Sequence, residues 1–360
     1  MVLRPDDAAN LAKSVREIFV DAENLILARI AAAVGQGLDS PDWAEQKLAG
    51  LQGLMAQVDQ ILLDLANNVP GATEKALQFA YNRGIAAIST EIAGTGLGAA
   101  AFAEVAPSNG LAALVTATVA SQPEQFFQIR RAAADIYQQV ITRTTAQVTL
   151  GVLTRREASR AALVDLAKGG VTSFRDKSGR RWDMASYSEM AVRSSAMNAM
   201  LQGSMDRMQE FGNDLVIVDD APEECKLCRP FEGRVLSLSG KSRGQTLKDG
   251  VKVYATLNAA RSAGLFHNNC RHSFSLYIPG ITKRKPAVAD PEGNKLREQQ
   301  RRFERRIREL KRQDAIDQEL GGPDALTSRT KLRAKQSEFK AWREANGRKN
   351  LSYRTNVTAR

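Results

Sequence analysis

A chain of 360 residues, 43% hydrophobic and 25% charged, can bury a sizeable core and form two or three structural regions. Its longest apolar stretch, GTGLGAAAFAEVAPSNGLAALVTATVA, is broken by Glu104, Pro107, Ser108 and Asn109, which excludes a bilayer span of about 20 apolar residues. The opening MVLRPDDAANLAK carries acid where a signal peptide needs an apolar run, and three cysteines are too few for a disulfide framework, so a reducing compartment is expected.

The first 170 residues read as helix. Leu11, Val15, Ile18, Ala22 and Leu25 recur at steps of four and three, which is one apolar stripe. In SPDW, Ser40 fits an N-cap and Pro41 the first helical position of a segment continuing through Leu48, Leu51, Met55, Val58, Leu62 and Leu65. At this length, packing inside one bundle is the commoner cause of such spacing than a coiled coil. Pro70 and Gly71 punctuate before a helix with Leu77, Tyr81, Ile88 and Ile92. GTGLG at 94–98 lacks the preceding strand of a dinucleotide-binding turn and reads as a linker. Phe126, Ile129, Ala133, Ile136 and Val140 form a further stripe, and Thr154 with Glu157 fits a capping box for a helix ending near Gly169-Gly170.

From 171 the texture changes to turn residues around a lone Trp182. Helix resumes through Tyr187, Met190, Arg193, Ala196 and Met200 and closes by Gly212, and Leu215 to Val218 reads as a strand. Residues 221–280 are rich in Gly, Ser and Lys, with short strands expected at 233–238 and 251–254. A module with so small an apolar core needs a staple. The section from 281 is helical, with a narrow stripe of Leu296, Phe303, Ile307 and Leu310. Gly321-Gly322-Pro323 breaks it before a helix through Leu332, Phe339 and Trp342. The expected fold class is mainly α. A helical N-terminal assembly region (1–170) precedes a segment (171–280) holding a small α+β, loop-rich Cys/His module at 215–280, and a basic helical tail (281–360) follows.

Charge is unevenly placed. Residues 281–360 hold 22 Lys and Arg against 11 Asp and Glu, whereas 1–280 hold 29 of each, so the whole excess of +11 lies in the tail. Such asymmetry suits an anionic partner, with nucleic acid first, and equally suits a solvated arginine-rich helix surface. The candidate contacts are Arg301, Arg302, Arg305, Arg306, Arg308, Lys311 and Arg312. Few aromatics stand among them, so non-specific phosphate contact is expected rather than base stacking.

All three cysteines and both histidines fall within 48 residues: Cys225, Cys228, His267, Cys270 and His272. Zinc takes four soft or borderline ligands in a tetrahedron, and two knuckles supply two each. Cys225-x2-Cys228 reads as one and His267-x2-Cys270 as the other, with 38 residues between them. His272 is then an alternative ligand, a group behind the ligands, or a base. A structural zinc would add ~10–16 kcal/mol of apparent binding free energy to the module. The bland alternative makes Cys225 and Cys228 a local redox pair or small buried residues. A catalytic metal is a third reading, with Glu223 or Glu224 as general base.

Several stretches resemble the minor capsid proteins of tailed phages, related to Mu F-type head morphogenesis proteins. GVTSFRDKSGRRWDMASYSEMAVRSSAMNAM is similar to their Gly-Arg-x-Trp … Tyr-x-x-Met-x-x-Arg segment, ECKLCRPFEGRVLSLSG to a Cys-x-x-Cys block with two spaced glycines, and GLFHNNCRHSFSLYIPG to a His-x-Asn-Cys-Arg-His segment. The matching positions are Gly179, Arg180, Trp182, Tyr187, Met190, Arg193, Cys225, Cys228, Gly233, Gly240, His267, Cys270, Arg271 and His272. The tail helix REQQRRFERRIRELKRQ is also close to the family's basic helix. The likeness is close over about 150–345 and general before it. Two positions depart: Asn268 stands where the family often has proline, and DDAPEEC lacks a histidine that often precedes the first cysteine.

The resemblance implies a virion component in the capsid interior or at the portal vertex, present in the host cytoplasm during assembly. It implies portal and capsid proteins as partners and a role in head assembly and DNA packaging or delivery; a homo-oligomer is compatible with it. The alternative is a metal-dependent nuclease or hydrolase in which His272 or His267 activates water and Arg271 steadies a phosphate. An effector domain appended at 281–360 is a third idea, disfavoured because the tail has no catalytic constellation.

Overall fold

The computed structural model describes residues 5–96, 108–167, 174–175, 181–182, 184–268, 270–284, 286–321 and 324–357. The expected linker at 97–98 and the helix end at Gly169-Gly170 lie outside them. The helices are α1 (Pro5–Gly35), α2 (Trp43–Ala49), α3 (Leu51–Gly94), α4 (Asn109–Ala120), α5 (Gln122–Thr149), α6 (Arg155–Ala167), α7 (Met184–Glu210), α8 (Leu257–Ser262), α9 (Pro291–Leu320) and α10 (Asp324–Ala345). The strands are β1 (Phe174–Arg175), β2 (Arg181–Trp182), β3 (Leu215–Val218), β4 (Val235–Ser237), β5 (Ala255–Thr256) and β6 (Phe274–Leu276). The protein is mainly helical, as the periodicity predicts, and the described strands form a four-stranded sheet and the β1–β2 pair.

Packing groups the chain differently from composition. One unit comprises Met1–Ser14, Gly71–Ala120 and Glu189–Glu298; the other comprises Val15–Pro70, Ser121–Ser188 and Gln299–Arg360. Each draws on the N-terminal stretch, the middle and the section after 281.

In the first unit, the second half of α3 crosses α7 at two glycines. A Cβ on Gly84 would lie 2.0 Å from the Met200 carbonyl oxygen, and one on Gly203 would lie 2.2 Å from that of Tyr81. Only a residue without a side chain allows backbones so close. Ser204 Oγ donates across the crossing to the Gly84 carbonyl (3.2 Å), and buried Tyr81 donates to Asp206 Oδ2 (2.8 Å). The sheet has the order β5-β4-β3-β6; β3 pairs antiparallel with β4 and β6, and β4 pairs parallel with β5. Alternation along β3 sends Val216 and Val218 into the main core with Met200 and Met208. Leu215 and Ile217 face a smaller cluster with Val253 and Tyr277.

In the second unit, α1 buries Val15, Phe19, Ile26, Ile30 and Val34. The stripe read from the sequence runs through Leu25, which is exposed; Leu25 and Ile26 are both apolar, and only the continuation at Ile30 and Val34 selects Ile26. Leu48 is likewise exposed. The expected cap at Ser40 and Pro41 is a turn instead, and α2 starts at Trp43, whose Nε1 donates to the Val34 carbonyl (3.1 Å). Pro70 does not end a helix: α3 runs through it. A proline inside a helix costs about 3 kcal/mol, and burial of Val69, Thr73 and Leu77 around it offsets that. The capping box forms as read: the Thr154 N–H donates to Glu157 Oε2 (2.9 Å) and the Glu157 N–H to Thr154 Oγ1 (3.3 Å).

Helices α9 and α10 belong to this unit's interior rather than trailing from it. Arg160 pairs with buried Asp317 through Nε–Oδ1 (2.7 Å) and Nη2–Oδ2 (3.0 Å). Phe303 stacks on Phe339 (centroids 5.3 Å) and lies 5.4 Å from Trp342. Arg16, 1% exposed, donates to the carbonyls of Tyr353 (2.6 Å) and Asn356 (3.2 Å), and Arg308 donates to that of Arg354 (2.8 Å).

Candidate metal centre

Strand β3 brings the two halves of the site together. After Val218 the chain runs through 219–234 into β4, and the segment after α8 runs through 263–273 into β6. Gly233 N donates to Val218 O (2.9 Å) and Asp219 N to Ser273 O (3.0 Å), so both loops meet the same end of β3. The first carries Cys225 and Cys228 in a tight turn, with the Cys228 and Arg229 amides donating to the Cys225 carbonyl (3.3 and 3.2 Å) before a 3-10 turn at Arg229–Phe231. The second carries His267, Cys270 and His272.

All five side chains converge. Cys225 Sγ lies 3.0 Å from His267 Nε2, Cys228 Sγ 3.5 Å from Cys270 Sγ, and Cys270 Sγ 3.5 Å from His272 Nδ1. Two groups result, Cys225–Cys228–His267 and Cys228–Cys270–His272, in each of which the donor atoms lie within 4.8 Å of one another. All three cysteines are free thiols. Three sulfurs and two imidazoles make a donor set suited to zinc. Both rings are held from behind: His267 Nδ1 meets the Asn268 carbonyl (2.7 Å), and His272 Nε2 meets Glu232 Oε1 (2.7 Å).

The protons are unevenly shared among the five groups. The hydrogen bond with Cys228 and, against the effect of burial, the bonds with His272 bring the Cys270 thiol down to about 4. Burial pushes the Cys225 thiol up, but His267 and the Cys228 and Leu227 amides outweigh it and hold it below the usual thiol range. The hydrogen bond with Cys270, then burial, pushes Cys228 up. Burial opposes charge on both histidines, yet their thiol neighbours, with the Asn268 carbonyl and Glu232 respectively, raise them. Ligands must shed protons to bind metal, so uptake at this site is proton-linked.

The acids considered as bases have other tasks. Glu223 pairs with Arg271, which therefore anchors one loop to the other. Buried Glu224 accepts from the Asp290 amide (2.9 and 3.1 Å) and pairs with Arg229 (3.4 Å). Sequence reasoning missed Glu232, which nothing in RPFEGR marks out, and the half-buried acids Asp219 and Glu91. Asp219 accepts from Ser273 and Ser275 (2.6 Å each), and Glu91 accepts from the Leu276 amide (2.7 Å).

The basic residues of α9 are divided by the fold. Arg308 and Arg312 are buried, the first against Ser186 Oγ (3.0 Å) and the Arg354 carbonyl, the second 3.9 Å from buried Glu23. These two leave the expected surface set, because the helix face that buries Ile307 also turns its basic neighbours inward. Lys311 is half-buried, and Arg301 pairs with Glu304 (2.6 Å) and Arg306 with Glu309 (2.6 Å). Arg302, Arg305 and Arg306 face outward. Desolvation, then the charges of Arg308, Arg301 and Arg302, lower the Arg305 pKa.

The family described as phage minor capsid protein 2 matches residues 3–343. The chain belongs to this family. A protein of Lactococcus phage LL-H described as "Structural protein" is 23% identical to the minor capsid protein over 213 residues, 57% of this chain and 57% of that relative. The chain thus spans little more than half the length of that relative. No solved structure matches the chain. The protein is a structural component of a bacteriophage virion, and among the described residues no helix is long and apolar enough to cross a membrane. Of the two glycines in the minor capsid protein's Cys-x-x-Cys block, Gly233 at φ +67° reverses the chain between the 3-10 turn and β4.

Half-buried Glu91 has a measurable consequence. Burial, opposed by the Leu276 hydrogen bond and reinforced by Asp219, lifts Glu91 from 4.5 to about 7. Between those values the folded state keeps a proton that the unfolded chain has lost, so stability falls as pH rises through this window. Urea midpoints measured from pH 4 to 8 are expected to decline across it. Glu91→Gln is expected to remove that part of the slope and to be the more stable form at pH 8.

Proposed function

We propose that this virion protein works at the portal vertex or capsid interior, aiding head assembly and DNA packaging or delivery. In this reading a zinc-held module in the first unit serves as a rigid docking element. The outward arginines of α9 meet DNA phosphates or an acidic protein surface. The observation that carries the reading is the charge distribution. The excess of +11 lies entirely in 281–360, and α9 presents Arg302, Arg305 and Arg306 on its outer face. Like charges held together on a surface gain most from an anion that neutralises several at once. Glu223 is engaged by Arg271 across the two loops and Glu224 by the Asp290 amide and Arg229, which favours a structural metal over a hydrolytic one.

The test is DNA affinity across a salt series for the full chain and for the triple variant Arg302→Gln, Arg305→Gln, Arg306→Gln. Wild-type affinity is expected to be indifferent to sequence and to fall steeply with salt. The variant's log–log slope is expected to shrink by about 0.9 for each phosphate it no longer neutralises. An unchanged slope sinks the phosphate reading, and nicking of the DNA in any metal favours the nuclease alternative.

A further inference from the structure

Five donors form two groups that share Cys228, where a tetrahedral ion takes four. We propose that the ion is held by Cys225, Cys228, Cys270 and the Nδ1 of His272, that Glu232 is the residue positioning His272, and that His267 is a hydrogen-bond partner of Cys225 rather than a ligand. This assignment rests on the zinc reading above and reverses the pairing that sequence spacing suggests. The second knuckle is Cys270-x-His272, not His267-x2-Cys270.

Distances separate the two histidines. Zinc–sulfur bonds of about 2.3 Å and zinc–nitrogen bonds of about 2.0–2.1 Å set tetrahedral edges of about 3.8 Å between sulfurs and about 3.6 Å between sulfur and nitrogen. Cys228 Sγ to Cys270 Sγ and Cys270 Sγ to His272 Nδ1, both 3.5 Å, are close to those edges. Cys225 Sγ to His267 Nε2, at 3.0 Å, is about half an ångström too short for one and is a direct hydrogen bond.

The surroundings point the same way. A metal-bound histidine commonly gives its other ring N–H to a carboxylate, which fixes tautomer and orientation. His272 and Glu232 have this relation across 2.7 Å, with both side chains only 1% exposed. A carboxylate buried to that degree needs a lasting donor, and the His272 Nε2–H supplies it while leaving the Nδ1 lone pair facing Cys270. The His272 amide also donates to Cys270 Sγ (3.4 Å), which ties the ring's own backbone to the neighbouring sulfur. His267 has only its neighbour's carbonyl behind it, on the exposed side, following Phe266 at φ +60°.

Because the sequence has two histidines, the experiment is direct. The full chain, labelled with 15N in its imidazoles, is loaded with zinc, metal content is measured, and ring nitrogen resonances are recorded for wild type, His267→Ala, His272→Ala and Glu232→Leu. Expected are one zinc per chain, one zinc-bound ring coordinated through Nδ1, retention of zinc in His267→Ala and its loss in His272→Ala. In Glu232→Leu, affinity is expected to fall 10- to 100-fold, a typical range for losing such a partner, with broadening of the His272 tautomer signal. Glu232→Gln, which keeps an acceptor, is expected to recover part of the affinity. Should His272→Ala not fold, the wild-type ring spectrum decides alone. Zinc in the wild type with His267 coordinated, with both rings coordinated, or with neither variant losing metal overturns the assignment and leaves the zinc reading standing. A wild-type chain that takes up no zinc overturns both.

Discussion

Gly84→Ala and Gly203→Ala are each expected to destabilise the first unit by roughly 3 kcal/mol or more. Intrinsic propensity argues the other way, since alanine is better than glycine in a helix interior by about 1 kcal/mol. The crossing reverses the sign. Each new methyl would sit 2.0–2.2 Å from a carbonyl oxygen of the facing helix, and backbone cannot rotate aside as a side chain can. Relief requires α3 and α7 to separate, which loosens Tyr81, Ala196 and Met200 in the same core. The two changes are expected to be far from additive, because the first already forces the separation from which the second would benefit. Gly53→Ala and Gly71→Ala serve as controls on α3. Nothing lies within 4 Å of either added methyl, so both are expected to be neutral or stabilising by up to about 1 kcal/mol. Urea or thermal unfolding of the four variants checks this. Gly203→Ala with wild-type stability would refute the close crossing.

Ending the chain at Asn350 is expected to cost the second unit about 1.5–3 kcal/mol or more, the range for losing a hydrogen bond to a charged group. The missing residues supply the carbonyl oxygens of Tyr353 and Asn356 to Arg16 and that of Arg354 to Arg308. Both guanidiniums are inside the fold, so the loss takes acceptors from buried cations rather than trimming surface. A second variant separates charge from packing. Arg16→Met with Arg308→Met in the shortened chain removes the two buried cations and is expected to restore part of the stability. Hydrogen exchange over Val15–Gly35 and 299–320 is the readout, and unchanged protection in the shortened chain would show that these carbonyls matter little. Most of the section read from sequence as a basic helical tail, Gln299–Arg360, is part of the second unit.

Much of this architecture was legible where one signal sufficed. Thr154 and Glu157 form the capping box their spacing promised, Leu215–Val218 is a strand, and Phe303 on one side and Phe339 with Trp342 on the other lie on the two helices their spacing predicts. Local rules failed where tertiary packing outweighed them. Pro70 breaks an isolated helix but not one buried on both sides of it, and Leu25 and Ile26 are equivalent until the partners of α1 are known. The clustering of Cys225, Cys228, His267, Cys270 and His272 could be read from rarity alone. The order of their pairing could not, because Glu232 marks His272 only once β4 and β6 flank the same strand. Arg308 and Arg312 show the corresponding limit for charge: a basic helix face counted from sequence includes members that hold the fold together.

The interleaving of the two units has a consequence for synthesis. The last segment of the first unit ends at Glu298, whereas the second still lacks most of α9 and all of α10 at that point. A nascent chain emerging from the ribosome therefore carries α1 and α6 without the α9 partners of Glu23 and Arg160 until α9 is complete, and some 60 further residues remain to be made. Surfaces left without their partners are where nascent chains associate wrongly. At a translation rate of about 5–20 residues per second the delay lasts several seconds. During that interval a host chaperone, or a neighbouring copy on the same message, has its best opportunity to bind.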